Sequence, residues 1–367
     1  MIIVCDVNTI WRRKPFRAMG EHRPVLGVRP RDWLVWCRNG AMEEKSESNY
    51  REQSITLPLG WASSTSALSQ RWLWYQIQRV VDRPRALVVT SPHYLTLLER
   101  VPPSLPIFYY CSDDYTDYEG WGGDQIERLE SRLVHRVDHA FFVSRALADR
   151  ATDRYGVAGA KVSVSMNATS PMFFPPRAGQ RGELPEPMPR PVIGVIGGVS
   201  NRLDFDLLQE CAQLSKLGTL LLVGPLPSLP SNALETLLQH QNVRAVGRQL
   251  HEDIPRWMHG IDVALIPYRQ STFNTHCSPM RLFDHLASGR PIVATDACPQ
   301  VSEFEEWIHV AASRRDFVAA TAEALEMAEC TEHLKGQSEA ARQHTWLRRA
   351  DHLGAVMDQY IFDGPVC

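Results

Sequence analysis

Short apolar runs alternate with longer amphipathic stretches through most of this 367-residue chain, the pattern of α/β units built around parallel sheets. In the first half, Ile2–Cys5, Val25–Val28, Ala86–Thr90, Ile107–Cys111, Ala140–Val143 and Val162–Ser165 predict buried strands. Helical periodicity covers 65–81, 124–137 and 145–154. Residues 39–53 are polar, with Glu43, Glu44 and Lys45 ahead of Ser46–Asn49, and predict a mobile loop.

The rhythm stops between Pro171 and Pro191, where seven prolines, Gly179 and Gly182 predict a stiff, helix-free linker. Val192–Ile196 then restarts the pattern as a strand that ends in Gly197 and Gly198. A helix over 204–216 and strands over 219–223, 243–246 and 262–266 follow, and the chain closes on a helix over Glu339–Tyr360. The organisation predicted is an α/β domain over 1–170, a linker over 171–191, a second α/β domain over 192–338 and a C-terminal helix within 339–367.

Cys277 to Asp296 carries the most specific signal. Ser278 suits an N-cap, Pro279 the first helical position, Gly289 a left-handed stop, and Pro291 prevents continuation, so a helix is predicted over 279–288. Leu282, Phe283, Leu286 and Ala287 form its expected buried stripe, which leaves Arg281, Asp284, His285 and Ser288 on the other face. The helix start, with Arg281 beside it, suits a phosphate group. Ile292–Thr295 reads as the next parallel strand.

This stretch resembles the donor-site helix of GT-B glycosyltransferases, family 4-like members acting on bacterial surface polysaccharides, whose pattern is Ser/Asn-Pro-Leu-Lys-Leu-Phe-Glu-Tyr-Leu-Ala-Ala-Gly-Lys-Pro. Arg281 takes the Lys position and Asp284 the Glu position. The resemblance implies that Asp284 binds the ribose of a nucleotide sugar; an acid eight residues earlier, which contacts the sugar in the family, is His276 here. Ser278, Pro279 and Met280 complete the implied phosphate end of the site. Val137–Leu147, Asn167-Ala168-Thr169 and Ile261–Pro267 also look like family motifs, so the similarity spans roughly 105–300. Its implied fold is GT-B: two Rossmann-like parallel-sheet domains facing a cleft, with a C-terminal helix that returns to the first.

Gly197 and Gly198 let backbone approach a diphosphate, and Arg202 can neutralise it; a tight turn explains the glycine pair equally well. Gly247 and Arg248, by resemblance, sit at the nucleotide base, with a simple turn as the alternative. In the first domain Cys111–Asp117 follows a strand, so its acids belong at the carboxyl edge of the sheet, where ligands of α/β proteins bind. Cys111-Ser112-Asp113 is similar to the Ala-Ser-Asp of the xanthan-type glucuronosyltransferases, a resemblance that implies Asp113 as the base, with Asp114 as its neighbour; turn formation and manganese ligation by Asp113, Asp114 and Asp117 are the alternatives. His93 follows another strand and can orient a substrate or stay solvated. Glu127 and Glu130 read as complements to a helix dipole.

Composition narrows the partners. Hydrophobic residues at 44% and charged at 22% are ordinary globular values, and the eight cysteines show no zinc spacing and read as reduced thiols. Nucleic acid is disfavoured by the formal charge of −3. Residues 1–100 hold 15 Lys and Arg against 9 Asp and Glu, and Trp11–Arg17 and Arg71–Tyr75 interleave aromatic with basic residues. That suits an anionic membrane surface or a lipid-diphosphate acceptor, against the plainer reading of core tryptophans and solvated arginines.

Together these readings predict a metal-independent hexosyl- or uronosyltransferase without a cofactor, using a UDP-linked sugar. Its acceptor is expected to be a glycan or a polyprenyl-diphosphate-linked chain, and its place the cytoplasm, at the inner face of the plasma membrane. A catalytically degenerate GT-B protein and a GT-B sugar-nucleotide epimerase are the readings left beside it.

Overall fold

The computed structural model describes residues 1–32, 46–47, 49–58, 66–118, 120–176, 181–327 and 331–362. They fall into two compact units, 1–166 with 346–367, and 167–345.

The first unit is built on the sheet β3-β4-β2-β1-β5-β6-β7-β8. Its strands are β1 (Ile2–Cys5), β2 (Val25–Asp32), β3 (Ser46–Glu47), β4 (Tyr50–Leu57), β5 (Ala86–Val89), β6 (Ile107–Cys111), β7 (His139–Phe142) and β8 (Val162–Val164). All neighbours run parallel except β3 and β4. β1, β5 and β7 are buried along their whole length, as expected of strands covered on both faces. The order of β2, β1 and β5 makes a crossover, so the loops after β1 and β5 part at the carboxyl edge.

β4 corrects the expectation of a loop over 39–53, of which 39–45 and 48 lie outside the described residues. Its polar character reflects long-range pairing: buried Glu52 accepts from the Tyr50 hydroxyl at 3.1 Å and is approached by Arg13 at 3.1 Å and Arg29 at 3.5 Å. The closing helix also differs from expectation. Thr331–Ala341 belongs to the second unit, and a new helix, Trp346–Phe362, joins the first. There Asp358 pairs with Arg23 at 2.5 Å and the Tyr360 hydroxyl lies 3.1 Å from His139 Nδ1.

The second unit holds the all-parallel sheet β11-β10-β9-β12-β13-β14, from β9 (Val192–Ile196), β10 (Thr219–Val223), β11 (Val243–Gly247), β12 (Val263–Ile266), β13 (Ile292–Thr295) and β14 (His309–Ala311). The strand order reverses between β9 and β12, which opens a crevice at their carboxyl ends. Residues of the expected linker pack on this unit; its stretch 177–180 lies outside the described residues. Asp262 holds both Arg190, at 2.9 Å, and Arg181, while Phe173 is buried with its carbonyl 2.8 Å from His259 Nε2. Prolines fit such a strap because they bring no N–H that needs a partner.

Candidate donor and base sites

The helix read from the sequence runs Met280–Ser288 and ends on Gly289 at φ 64°, the left-handed position expected of it. Its start differs from expectation. Pro279 is the cap residue, and no side chain caps the helix. The Ser278 hydroxyl instead accepts from the Asn167 N–H at 2.9 Å, and the Ser278 carbonyl accepts from Asn167 Nδ2 at 2.7 Å. The polar face is also corrected, because Asp284, His285 and Ser288 are all buried. Asp284 accepts from the Thr169 hydroxyl at 2.8 Å. Burial, with the charge of Arg281 adding to it, pushes the His285 pKa down to about 3, so the ring is neutral at pH 7.

Arg281 reaches the carboxyl edge of the sheet. Its Nη2 donates to the Gly198 carbonyl at 2.8 Å, its guanidinium lies 5.4 Å from the Tyr268 ring, and its buried Nη1 has no hydrogen-bond partner. Gly197 has φ 119° and Gly224, at the end of β10, φ 144°; a Cβ on Gly224 would lie 2.1 Å from the Gly197 oxygen. Only glycine permits both the backbone and that approach. Gly247, at φ 70°, accepts from the Gly224 N–H at 2.9 Å, with exposed Arg248 next to it. The ends of β9, β10 and β11 are thus linked glycine to glycine, with Arg281 on the first turn. Arg202 stacks 3.4 Å from the Phe273 ring, and its carbonyl accepts from Asn274 Nδ2 at 3.0 Å. His276 ends the short helix Thr272–His276, half-buried.

In the first unit the acids after β6 separate into two roles. Asp114 is fully buried, caps the turn Tyr115–Asp117 through the Thr116 N–H, and receives both of its 3.0 Å contacts from Arg150 Nη1. Arg150 also pairs with Glu130 at 3.1 Å, and Glu130 accepts from the Tyr109 and Tyr155 hydroxyls. Glu130 is therefore a buried anchor and not a dipole complement. Asp113, 8% exposed, accepts from the Tyr118 hydroxyl at 2.7 Å. Burial, and then the Asp113 charge, raise the Tyr118 pKa, so the phenol stays a donor. His93 contacts Ser91 Oγ at 3.1 Å through Nδ1 and meets Trp121 edge-on at 4.6 Å, and Trp121 packs on Tyr118 and Tyr115. Burial, then Arg12, push the His93 pKa down to about 4.

Comparison with known proteins bears on both units. Residues 190–331 match the family model described as glycosyl transferases group 1. A stretch of 141 residues is 34% identical to a Bacillus subtilis protein named "Putative teichuronic acid biosynthesis glycosyltransferase TuaH". The match covers 36% of this chain and about a third, 34%, of that relative. Over 98% of both chains the structure is similar to a sucrose-phosphate synthase from Thermosynechococcus elongatus, with TM-score 0.74 and 16% identity. Anabaena HepE, solved in complex with UDP, aligns over 98% of this chain and 99% of its own, with TM-score 0.70 and 12% identity. The chain has the GT-B fold.

Within this GT-B chain Gly197, Gly198, Gly247 and Arg281 are brought together at the carboxyl edge of the second sheet. Asp284 is one helical turn from Arg281, held by Thr169. In the first unit Asp113 and His93 share the aromatic set Tyr118 and Trp121. Sequence reasoning passed over Asn167 and Thr169 as contacts, Gly224, and the aromatic residues after Asp113. The run Asp114-Tyr115-Thr116-Asp117-Tyr118, placed directly after a strand, is the signal that points to the last of these. Among the described residues no three His, Cys, Asp or Glu side chains converge as metal ligands, and no helix is long and apolar enough to cross a membrane.

Proposed function

We propose that the chain is a glycosyltransferase that moves a hexosyl or uronosyl group from a UDP-sugar to a glycan or polyprenyl-diphosphate-linked acceptor in polysaccharide biosynthesis. The observation that carries this reading is the guanidinium of Arg281 seated on the Gly197-Gly198 turn at the end of β9. Backbone there can approach a diphosphate closely, and Arg281 supplies the charge that stabilises the diphosphate as it leaves. The group 1 match over 190–331, the name of the Bacillus relative and the UDP bound to Anabaena HepE all support it. The reading assigns the leaving charge to Arg281 and the helix start, without a metal.

Asp113 is the base in this reading. Its carboxylate, oriented by Tyr118, takes the proton of the acceptor hydroxyl as that oxygen attacks the anomeric carbon, and UDP departs with the bond electrons. Neutral His93 stands in the same aromatic set and orients the acceptor.

An anionic membrane at the cytoplasmic face is the proposed place of work. Along the helix Ser66–Val80, Leu68, Trp72 and Tyr75 are exposed, with Arg71 and Arg79 on the same surface. The other expected contact, 11–17, does not form such a surface: Arg12 pairs with Asp6 inside the protein and Phe16 is in the core.

Incubation of the protein with UDP-, GDP- and dTDP-sugars and lipid-linked acceptors, read by mass spectrometry, tests the function. A glycosylated acceptor formed with a UDP-sugar is expected. Nucleotide binding without any transfer indicates a binding protein, and an altered free nucleotide sugar indicates an epimerase.

A further inference from the structure

Two thiols stand against the start of the helix Met280–Ser288. Cys277 Sγ is 3.8 Å from Cys298 Sγ, and both residues are buried. Cys277 directly precedes Ser278, and Cys298 directly precedes the turn Pro299–Ser302 beyond β13. Their surroundings are held in register from both sides. Cys277 Sγ lies 3.3 Å from the Asn274 carbonyl oxygen, Thr295 Oγ1 donates to the Tyr268 carbonyl at 2.7 Å, and Gln270 Nε2 donates to Asp296 at 2.9 Å.

The other described cysteines, Cys5, Cys111 and Cys211, are also buried, and none of them shows a thiol partner. Burial raises the thiol pKa of each of those three. Cys298 goes the other way: the hydrogen bond from Cys277 lowers its pKa in spite of burial, and the N–H groups of Val301 and Gln300 add to the effect. This thiol ionises more readily than Cys5, Cys111 or Cys211, and it has a second sulfur within reach.

We propose that Cys277 and Cys298 are a reversible redox pair that controls the nucleotide end of the second unit. With a peroxide as oxidant, the Cys298 thiolate attacks one peroxide oxygen, the O–O bond breaks, and hydroxide leaves Cys298 as a sulfenic acid. The Cys277 thiolate then attacks the Cys298 sulfur and expels the second hydroxide; the two thiol protons convert both hydroxides to water. Each sulfur loses one electron and the peroxide gains two. A disulfide needs the sulfurs at about 2.05 Å, so they must close by more than an ångström from their present separation. Cys277 is one residue from Ser278, which Asn167 holds through two hydrogen bonds, and four from Arg281 on the Gly198 carbonyl. Closing the pair pulls this segment toward β13 and away from those contacts.

The effect on nucleotide rests on the donor-site reading above; formation of the disulfide does not. The full chain is treated with hydrogen peroxide, its remaining thiols are alkylated, and peptides are mapped by mass. A peptide linking Cys277 to Cys298, released by dithiothreitol, is expected. Calorimetry should show UDP affinity reduced about tenfold by oxidation and restored by dithiothreitol, with Cys298→Ser and Cys298→Ala both resistant to peroxide. Absence of the linked peptide, a linked form with unchanged UDP affinity, or equal loss in the Cys298 variants overturns the pair. A reduced protein that binds no UDP overturns the donor reading instead, and the peptide map still judges the thiols.

Discussion

Arg281 donates from Nη2 to the carbonyl of Gly198 at 2.8 Å, which ties the start of a helix to a glycine turn 83 residues earlier in the chain. The same side chain keeps its Nη1 buried without a partner, so one strong donor remains for an anion. Replacing Arg281 by Ala removes a charge-assisted hydrogen bond expected to be worth roughly 1.5 to 3 kcal/mol, or about ten- to a hundredfold in UDP affinity. Titration calorimetry that returns the same UDP affinity for Arg281→Ala and the parent protein rejects this anion site.

The two acids after β6 should fail in different ways. Asp114→Asn leaves Arg150 short of one carboxylate inside the protein, so it should cost roughly 3 to 5 kcal/mol and lower the melting temperature. Asp113→Asn keeps size and hydrogen bonding but cannot accept the acceptor's proton, so turnover should fall by roughly a hundred- to ten-thousandfold with little change in melting. UDP affinity should hold in Asp113→Asn, since the proposed donor residues all lie in the second unit. A fully active Asp113→Asn protein, or a product that keeps the donor's anomeric configuration, removes the base assignment.

The local code was legible wherever both faces of a strand are covered. β9, β10, β12 and β13 are continuous apolar runs, and Gly289 stops its helix where a left-handed residue is required. What local pattern could not carry is the choice of partner made far along the chain. Ser278 looks like an N-cap by type and position, yet Asn167, 111 residues away, takes its hydroxyl. Asp284, His285 and Ser288 look solvent-facing by helical spacing, but Thr169 and the helix Thr331–Ala341 cover that side: Ser338 Oγ donates to the Ala287 carbonyl at 3.1 Å. Likewise Asp113 and Asp114 are equivalent in sequence until Arg150 claims one of them. β4 was hidden because Glu52 reads as solvent-loving and is instead neutralised by two arginines.

Membrane attachment, if it runs through the exposed stripe of the helix Ser66–Val80, should depend on Trp72 and Tyr75. These are 42% and 53% exposed, and Arg79 lies 6.0 Å from the Tyr75 ring. Flotation with vesicles rich in anionic lipid should recover the parent protein at low salt. Recovery should fall as the Debye length shrinks toward about 3 Å at 1 M salt, and fall again in a Trp72→Ala, Tyr75→Ala double variant. Recovery indifferent to lipid charge, salt and both substitutions would falsify this surface.

Five histidines whose pKa values burial pushes down, His259 and His352 among them, should make the fold sensitive to mild acid. His93 and His139 in the first unit are pushed down to about 4 and His285 in the second to about 3, in each case by burial first. An unfolded histidine titrates near 6.5, so between that value and the folded pKa the unfolded chain binds more protons. Stability from these groups is therefore fully present above about pH 6.5 and is lost as pH falls toward about 4, by up to one proton per histidine. His285 isolates the effect, because both ring nitrogens are buried without a hydrogen-bond partner and an apolar side chain of similar size forfeits no bond there. His285→Leu should melt near the parent temperature at about pH 7.5 and above it at about pH 5, with the gain confined to the transition of the second unit. Scanning calorimetry that shows the same acid-induced drop in variant and parent, or a gain in the other transition, would assign the lost protons elsewhere.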